Sequence, residues 1–379
     1  MKPSALLAIF VVATFSTLSP AQEISAKTGA EVPLAYVYVS SDNSGEIQIN
    51  GYGAYSGGAL APVPNSPISE KGSYLATDKN LLFSTDALNI YSFSVDSSGS
   101  LTQVSTINAQ QYNSYPTGGP ISLFTDRTGA TLYDEDIYGS DGANNTYQFF
   151  TPDQKSGTLS YLGTVGDSAV WDTPLSFVGS NKYAYGSSCY LGSQTIYGFS
   201  RSSHGTLTDL DITPDIPASP DGGYCPYLAA ADQANHVAIS LTPTDDGFGQ
   251  TGPAQLAVYN ADSSGNLTTT STSDTMPKVS VGSIYDLKAS PSGKLLAVSG
   301  SEGLQVFHFN GASPITHYTG ALTTNEIDQM FWDNADHLYA ISRTAGELYV
   351  FTVTPAKASQ SGSAYPIPGA FNIAVLPEP

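Results

Sequence analysis

The sequence has little charge, and most of what it has is negative. Only 12% of its 379 residues are charged, and the 33 acidic residues outnumber the 13 basic ones to give a net charge of −20. Arginine occurs three times, at Arg127, Arg201 and Arg343. No cluster of Lys or Arg interrupts this negative field, which would repel a phosphate backbone. The composition therefore excludes nucleic-acid binding.

Long apolar runs are missing as well. Residues 1–21 combine Lys2, an apolar stretch at 6–15, and the small residues Ser19 and Ala21, as a secretory signal with its cleavage site does. That stretch is shorter than the roughly 18 apolar residues of a spanning helix, and no later segment reaches this length. We expect no membrane insertion and a secreted or periplasmic mature protein, with residues 22–35 leading into one domain at 36–379.

Cysteine is scarce, with Cys189 and Cys225 as the only two. In an oxidising compartment an even pair predicts a disulfide, and two separate thiols remain the alternative. Two cysteines are too few for a disulfide scaffold. They are also too few for a cysteine-based zinc site.

Residues that favour strands and turns are abundant, with 36 Gly and 24 Tyr, and they form a repeat. Alternating apolar residues, a turn and Gly-x-Leu recur about every 51 residues. The clear copies are 90–101, 147–159, 196–207 and 256–267, and the weaker ones are 47–60, 304–315 and 348–365. Each copy predicts a β-hairpin, with the Gly at a turn position of positive φ.

An apolar strand–turn–strand element precedes most of these hairpins, so each copy supplies four strands. Seven copies of four strands predict an all-β fold, a seven-bladed β-propeller. The first copy begins at Tyr36 without an inner strand, and the segment 371–379 is a strand without a copy of its own. We therefore predict that strands from both ends of the chain share one blade and close the ring.

The repeat unit resembles that of a known family. A strand, then Asp/Pro-x-x-Gly-x-Leu-Tyr, then Ile-x-x-Tyr/Phe, then Ser-Gly-x-Leu is similar to the lactonase-type seven-bladed propellers, which include 6-phosphogluconolactonases and muconate-cyclising enzymes. The resemblance covers about residues 33–379 and implies opening of a lactone ring by a base-activated water. No motif here matches an active site of that family residue by residue, so no functional residue is carried over.

Acidic residues are the first candidates for a site. In a propeller, the loops between blades and those between the second and third strands of each blade gather at one face. We place Asp134-Glu135-Asp136 in such a loop and Asp172 just before an inner strand. Asp136 and Asp172 are candidates for a general base, and Asp134 with Asp136 for a Ca²⁺ site, the one cofactor that this pattern suggests. The alternative is an acidic rim that only hydrates the surface.

Aromatic and basic residues at the same face complete the predicted site. Tyr115, Trp171, Tyr224 and Tyr285 could stack on a sugar ring, although packing between blades would also explain them. Lys278 is a further candidate for substrate binding. Arg343, the only arginine on this face, is a candidate to hold an anionic group of a substrate. We interpret all five histidines as structural or surface residues, and none as a candidate for acid–base catalysis.

Two functions remain open at this point. The first is an exported, monomeric lactonase acting on an unphosphorylated lactone, since so few arginines could hardly hold a phosphate. The second is an exported propeller without catalytic activity that binds a glycan or a protein partner.

Overall fold

The computed structural model describes residues 31–377, except 70–71, 87, 114–119, 137–145, 167–173, 191–192 and 246–248. Tyr115, Trp171, Asp172 and the signal at 1–21 lie outside the described residues, so their predicted roles stay predictions. From Val32 onward the chain is one compact unit.

Among the described residues, strands account for nearly all of the regular structure, with two short 3-10 helices at Ser56–Gly58 and Ala109–Tyr112. In chain order the described strands are β1 (Ala35–Asn43), β2 (Glu46–Ala54), β3 (Leu60–Pro62), β4 (Tyr74–Asp78), β5 (Leu81–Thr85), β6 (Asn89–Val95), β7 (Leu101–Asn108), β8 (Pro120–Thr125), β9 (Leu132–Asp136), β10 (Thr146–Pro152), β11 (Leu159–Gly166), β12 (Ser176–Phe177), β13 (Tyr183–Tyr190), β14 (Ser193–Arg201), β15 (Leu207–Asp209), β16 (Gly223–Ala231), β17 (His236–Thr244), β18 (Gln255–Ala261), β19 (Leu267–Thr269), β20 (Ile284–Ala289), β21 (Leu295–Gly300), β22 (Gly303–His308), β23 (Thr316–His317), β24 (Gln329–Trp332), β25 (His337–Ser342), β26 (Glu347–Thr354), β27 (Lys357–Gln360), β28 (Tyr365–Pro366) and β29 (Ala370–Pro377).

These strands form seven antiparallel sheets arranged as the blades of a propeller, which confirms the predicted fold. The first blade has the order β29-β1-β2-β3, so the last strand of the chain is its innermost one. The second to seventh blades begin with β4, β8, β12, β16, β20 and β24, each followed outward by the next three strands. The predicted closure of the ring by strands from both ends of the chain is confirmed.

The hairpin glycines adopt the backbone conformation that the repeat predicts. Gly99, Gly157, Gly205 and Gly265, each two residues before the Leu of its copy, have φ between +69° and +96°. Residues with a Cβ rarely adopt such values, and this explains why glycine recurs at that position. The glycine recurs in the repeat because each hairpin turn requires a positive φ at that position.

The core of the molecule lies between blades. Seven clusters of buried apolar side chains are formed by the described residues, and each combines residues of two neighbouring blades. Alternate residues of a strand point to opposite faces of its sheet, so every blade contributes to two of these clusters. A single blade could not bury either face without its neighbours.

The inner strands are also joined by side chains. Each has one edge without a β-partner, and polar residues bridge this gap to the next blade. Met330 N–H donates to Asp286 Oδ2 over 3.0 Å, and Leu75 N–H donates to Asn372 Oδ1 over 2.8 Å. Gln329 Oε1 accepts from Ile373 N–H in the same way. These bonds fix the wall of the central channel.

Candidate functional site

The inner strands enclose a central cavity of about 570 Å³. Residues of all seven blades line it, including Tyr74, Leu123, Ser176 and Asn372 from four different inner strands. A volume in this range is typical of sites for small organic ligands. The ring itself therefore creates the site, because no single blade contains it.

Two tyrosine rings give the cavity an aromatic surface. Tyr227 of β16 and Tyr285 of β20 both line it, and they are 43% and 40% exposed, unlike most large apolar side chains of the protein. The hydroxyl of Tyr285 lies near the carboxylates of Glu326 and Asp328. Its pKa is raised by burial and by the negative charges of Glu326 and Asp328. Tyr285, predicted as an aromatic contact, does line the cavity.

One cation and several carboxylates supply the charge. Lys288 is the only Lys or Arg among the described residues that line the cavity. Its Nζ lies 3.3 Å from Asp286 Oδ1 and 5.9 Å from the centre of the Phe331 ring. Asp328 and Glu135 also line the cavity. The cavity is therefore negatively charged overall, with one ammonium group inside it.

Asp328 and Arg343 lie together at the rim of this cavity. Arg343 is exposed in the turn between β25 and β26, and its backbone N–H donates to Asp328 Oδ2 over 2.6 Å. Its guanidinium carbon lies 5.9 Å from the centre of the Phe371 ring. The arginine thus borders the cavity without being among the residues that line it.

Two other predicted contacts lie away from the cavity. Tyr224 is 1% exposed, packs in an apolar cluster between the fourth and fifth blades and donates its hydroxyl to Gln255 Oε1 over 2.5 Å. Packing between blades, the alternative weighed above, describes it. Lys278 is exposed between β19 and β20, and it does not line the cavity.

The placement of the acidic triplet in a loop was wrong. Asp134, Glu135 and Asp136 form the end of strand β9, paired with β10, and all three are fully buried. Because side chains alternate along a strand, Glu135 points to one face of the blade, and Asp134 and Asp136 point to the other. Only Glu135 lines the cavity.

The two aspartates of this strand have unusual environments. Burial, reinforced by the charges of Asp136 and Glu135, raises the pKa of Asp134 well above its ordinary value. Burial also raises the pKa of Asp136 to about 6, although hydrogen bonds from Asn113 and Gln148 oppose the shift. No group of three or more His, Cys, Asp or Glu side chains that could hold a metal occurs among the described residues.

The two cysteines form a disulfide in the structure. Cys189 belongs to β13 of the fourth blade and Cys225 to β16, the inner strand of the fifth, with their Cα atoms 5.3 Å apart. The bond therefore ties neighbouring blades together beside the channel.

None of the helices formed by the described residues has the length and apolar character needed to span a membrane.

Sequence reasoning missed Lys288, Asp286 and Tyr227. A signal for the first two was present, since the inner strand containing Tyr285-Asp-Leu-Lys288 carries two charged residues, where most inner strands are apolar or carry only neutral polar groups. A charge in such a strand must face either the channel or a partner. Here Lys288 and Asp286 partner each other at the channel wall.

Comparisons with known proteins address the fold. No protein-family model matches the chain, and no curated protein matches it in sequence. Among solved structures, the periplasmic gluconolactonase PpgL of Pseudomonas aeruginosa aligns with a TM-score of 0.64 and 13% identity, over 91% of this chain and 99% of that one. A Bacteroides fragilis protein for which 6-phosphogluconolactonase activity has been suggested aligns with a TM-score of 0.64 and 15% identity, over 90% and 98%. The resemblance to lactonase-type propellers is confirmed for the fold.

The same fold also occurs in proteins of another kind. Sqt1 of Chaetomium thermophilum, solved with the N-terminus of a ribosomal protein bound, aligns with a TM-score of 0.53 and 12% identity, over 86% of this chain and 84% of that one. A propeller can therefore bind a peptide or accommodate an enzyme site. The chemistry must be argued from the cavity itself.

Proposed function

We propose that this protein is a lactonase that opens an unphosphorylated sugar lactone in the central cavity. The observation that carries the proposal is the position of Lys288, the single basic side chain of the described lining, beside carboxylates and two exposed tyrosine rings. Hydrolysis of a lactone needs a base for the attacking water and a positive group for the oxygen that becomes negative. The cavity contains both kinds of group.

Lys288 and Asp328 take these two roles. Asp328 removes a proton from water, whose oxygen bonds to the lactone carbonyl carbon, while the Lys288 ammonium stabilises the oxyanion. The ring C–O bond then breaks, and the departing oxygen takes the proton back from Asp328 to give a hydroxy acid. Asp286 is less suited to act as the base because Lys288 and the backbone N–H groups of Leu287 and Met330 already occupy its oxygens.

The charge and the rings of the cavity favour a neutral sugar lactone. Glu135, Asp286 and Asp328 would repel a phosphate, and one lysine cannot hold it as several arginines would. Tyr227 and Tyr285 provide faces on which a sugar ring can stack. The same negative charge would repel the acid product and so promote its release.

An acid-release assay at constant pH, with a panel of sugar and aliphatic lactones, tests this proposal. We expect Lys288→Met to lower the rate at least about 100-fold, as loss of an oxyanion-stabilising group does, and Asp328→Asn to lower it by a similar factor. Lys294→Met, which removes an exposed lysine in the turn between β20 and β21, is the matched control and should leave the rate unchanged. Absence of acid release by the wild type, or full activity of Lys288→Met, would overturn the proposal.

Binding without catalysis is the second candidate, and the exposure of Tyr227 and Tyr285 favours it. Exposed tyrosines, with no histidine among the described residues that line the cavity, would suit recognition of a glycan. This function predicts glycan capture that Tyr285→Ala weakens, together with no acid release from any lactone. The two assays on the same purified protein therefore separate the candidates.

Export and a monomeric state belong to the proposal too. The signal-like residues 1–21 and the disulfide support export, because disulfides persist in oxidising compartments. Mass spectrometry of the protein recovered outside the cytoplasm should find a chain that begins at Gln22. Light scattering on the same sample should give the mass of one chain.

A further inference from the structure

A patch of buried oxygen atoms lies on the face of the third blade that packs against the second. Asp134 and Asp136 share this face with Leu132, which belongs to the apolar cluster between the two blades. Across the β9–β10 pair, Gln148 lies opposite Asp134 and Thr146 lies opposite Asp136. Opposed residues have Cβ atoms about 5 Å apart. We call Asp134, Asp136, Thr146 and Gln148 the oxygen patch.

Most oxygens of the oxygen patch have no hydrogen-bond partner among the described residues, which is unusual for buried polar groups. All four residues are at most 2% exposed. Gln148 Nε2 donates to Asp136 Oδ2 over 2.6 Å, but within the described residues both oxygens of Asp134, Gln148 Oε1 and Thr146 Oγ1 have no partner. Leaving buried polar atoms without partners destabilises the folded protein. A bound ion or molecule that these oxygens could coordinate, or to which they could hydrogen bond, would remove this destabilisation.

The charge of the patch indicates which species that is. The charged groups that act on Asp134 are Asp136 and Glu135, both acidic, and no basic group acts on either aspartate among the described residues. Buried carboxylates are normally paired, metal-bound or neutralised. Thr146 and Gln148 are uncharged, and each adds a buried oxygen without a partner on the same face of the blade, opposite the two aspartates.

We propose that the oxygen patch binds a hard divalent cation, with Ca²⁺ the best fit. Its donors are carboxylate, amide and hydroxyl oxygens, the set that Ca²⁺ prefers, and it contains none of the His or Cys ligands typical of zinc. Asn113, which follows the 3-10 helix at the end of the second blade, lies near enough to Asp136 to lower its pKa. The ion therefore stabilises the contact between the second and third blades. The site is separate from the cavity, because Glu135 alone of the triplet lines that space.

Titration of the metal-free protein tests the proposal. The purified protein is treated with EDTA, dialysed and titrated with CaCl₂ in a calorimeter, and its melting temperature is measured with and without Ca²⁺. We expect one ion per chain with a Kd on the order of 10⁻⁴ M or tighter, and a melting temperature several degrees higher with Ca²⁺. Asp134→Asn should weaken binding at least tenfold. Glu46→Gln removes an exposed carboxylate of the first blade and should leave binding unchanged.

Thr146→Val covers the case in which Asp134→Asn fails to fold, since it removes one hydroxyl at nearly constant shape. We expect it to weaken Ca²⁺ binding several-fold. The proposal is overturned if the metal-free wild type binds no Ca²⁺ and its melting temperature does not respond to millimolar Ca²⁺. It is also overturned if Thr146→Val and Asp134→Asn bind as the wild type does. Lactone hydrolysis does not enter either readout, so the two proposals fail independently.

Discussion

Two buried aspartates of this protein show opposite behaviour, although both are fully inaccessible to solvent. Asp333, in the turn between β24 and β25, accepts hydrogen bonds from Ala335 N–H, His337 N–H and the Tyr339 hydroxyl, and it lies 2.8 Å from His337 Nδ1. Asp134 accepts none from the described residues. Burial acts to raise the pKa of both, but the hydrogen bonds from His337 outweigh it at Asp333, whose pKa is lowered. The donors around a buried carboxylate, more than its depth, decide its charge.

The two aspartates also differ in how far along the sequence their neighbouring groups lie. The donors to Asp333 come from residues two to six positions later, in the turn and the start of β25, and Asp232 is paired with His236 at the corresponding turn of the fifth blade. The surroundings of Asp134 come from a different strand and a different blade. We read the turn carboxylates as part of the scaffold, and the oxygen patch as a site that needs a ligand.

Removal of the best-connected turn carboxylate should have the largest effect. Asp333→Ala leaves several buried donors unpaired, and we expect the free energy of unfolding to fall by about 3–5 kcal/mol. Asp232→Ala, in a turn whose histidine is partly exposed, should cost less. Chemical denaturation of the two variants measures both values. Equal, small losses would mean that the turn networks do not stabilise the ring.

The ion pair between Asp126 and Arg201 should come next. Arg201 Nη2 lies 2.6 Å from Asp126 Oδ2, and both side chains are nearly inaccessible. Arg201→Met strands a buried carboxylate, so we expect a loss of about 3 kcal/mol. Because Thr128 and Asn181 still donate to Asp126, the loss should not exceed that of Asp333→Ala. Combining Arg201→Met with Asp126→Asn should recover part of the loss, which a double-mutant cycle measures.

Asp78 offers a test by pH, because burial raises its pKa whereas that of Asp333 is lowered. Burial raises the pKa of Asp78 to about 6, with Gln154 and Lys79 opposing the shift and Asp126 adding to it. Because the pKa of Asp78 is higher in the folded state than in the unfolded chain, protonation of Asp78 stabilises the fold. This stabilisation is complete below the unfolded-state pKa of 3.8 and is lost as the pH rises through about 6. We expect the wild type to lose about 2 kcal/mol relative to Asp78→Asn between pH 4 and pH 7. A constant difference across this range would contradict the shift.

The smallest change is expected at the oxygen patch without metal. In EDTA, Asp134→Asn replaces a group that already lacks donors, so the free energy of unfolding should change by less than about 1 kcal/mol. Denaturation of wild type and variant in EDTA measures this, and repeating it in Ca²⁺ should reveal a larger gap. A loss in EDTA as large as that of Asp333→Ala would show that the protein, without an ion, already satisfies Asp134.

The fold could be predicted because its determinants are local and repeated. Four copies place a glycine of positive φ two residues before a Leu, and the unmatched strands at 36 and 371 identified the closure of the ring. These signals depend on backbone geometry within a dozen residues. These signals can therefore be recognised in the sequence without knowing which residues pack against each blade.

The site could be predicted only in part, because it depends on which strand residues face which neighbour. Three successive acidic residues disfavour a strand by local propensity, and this led to a loop at Asp134–Asp136, whereas pairing with β10 extends β9 through all three. Tyr224 and Tyr285 lie near the starts of equivalent inner strands, yet one is buried and the other is exposed. That difference arises from the surrounding blades and has no local signal.

The pairing of β1 with β29 also bears on the kinetics of folding. The register joins Ala35 to Pro377 and Tyr36 to Leu376, so the seam brings together residues more than 300 positions apart in sequence. Closing so long a loop is slow, and its entropic cost must be met before the last blade gains its packing. The same seam has to open before either adjacent blade can unravel from the ring. We therefore expect a molecule that folds slowly and, once closed, unfolds slowly as well, with a lifetime set by one pair of strands.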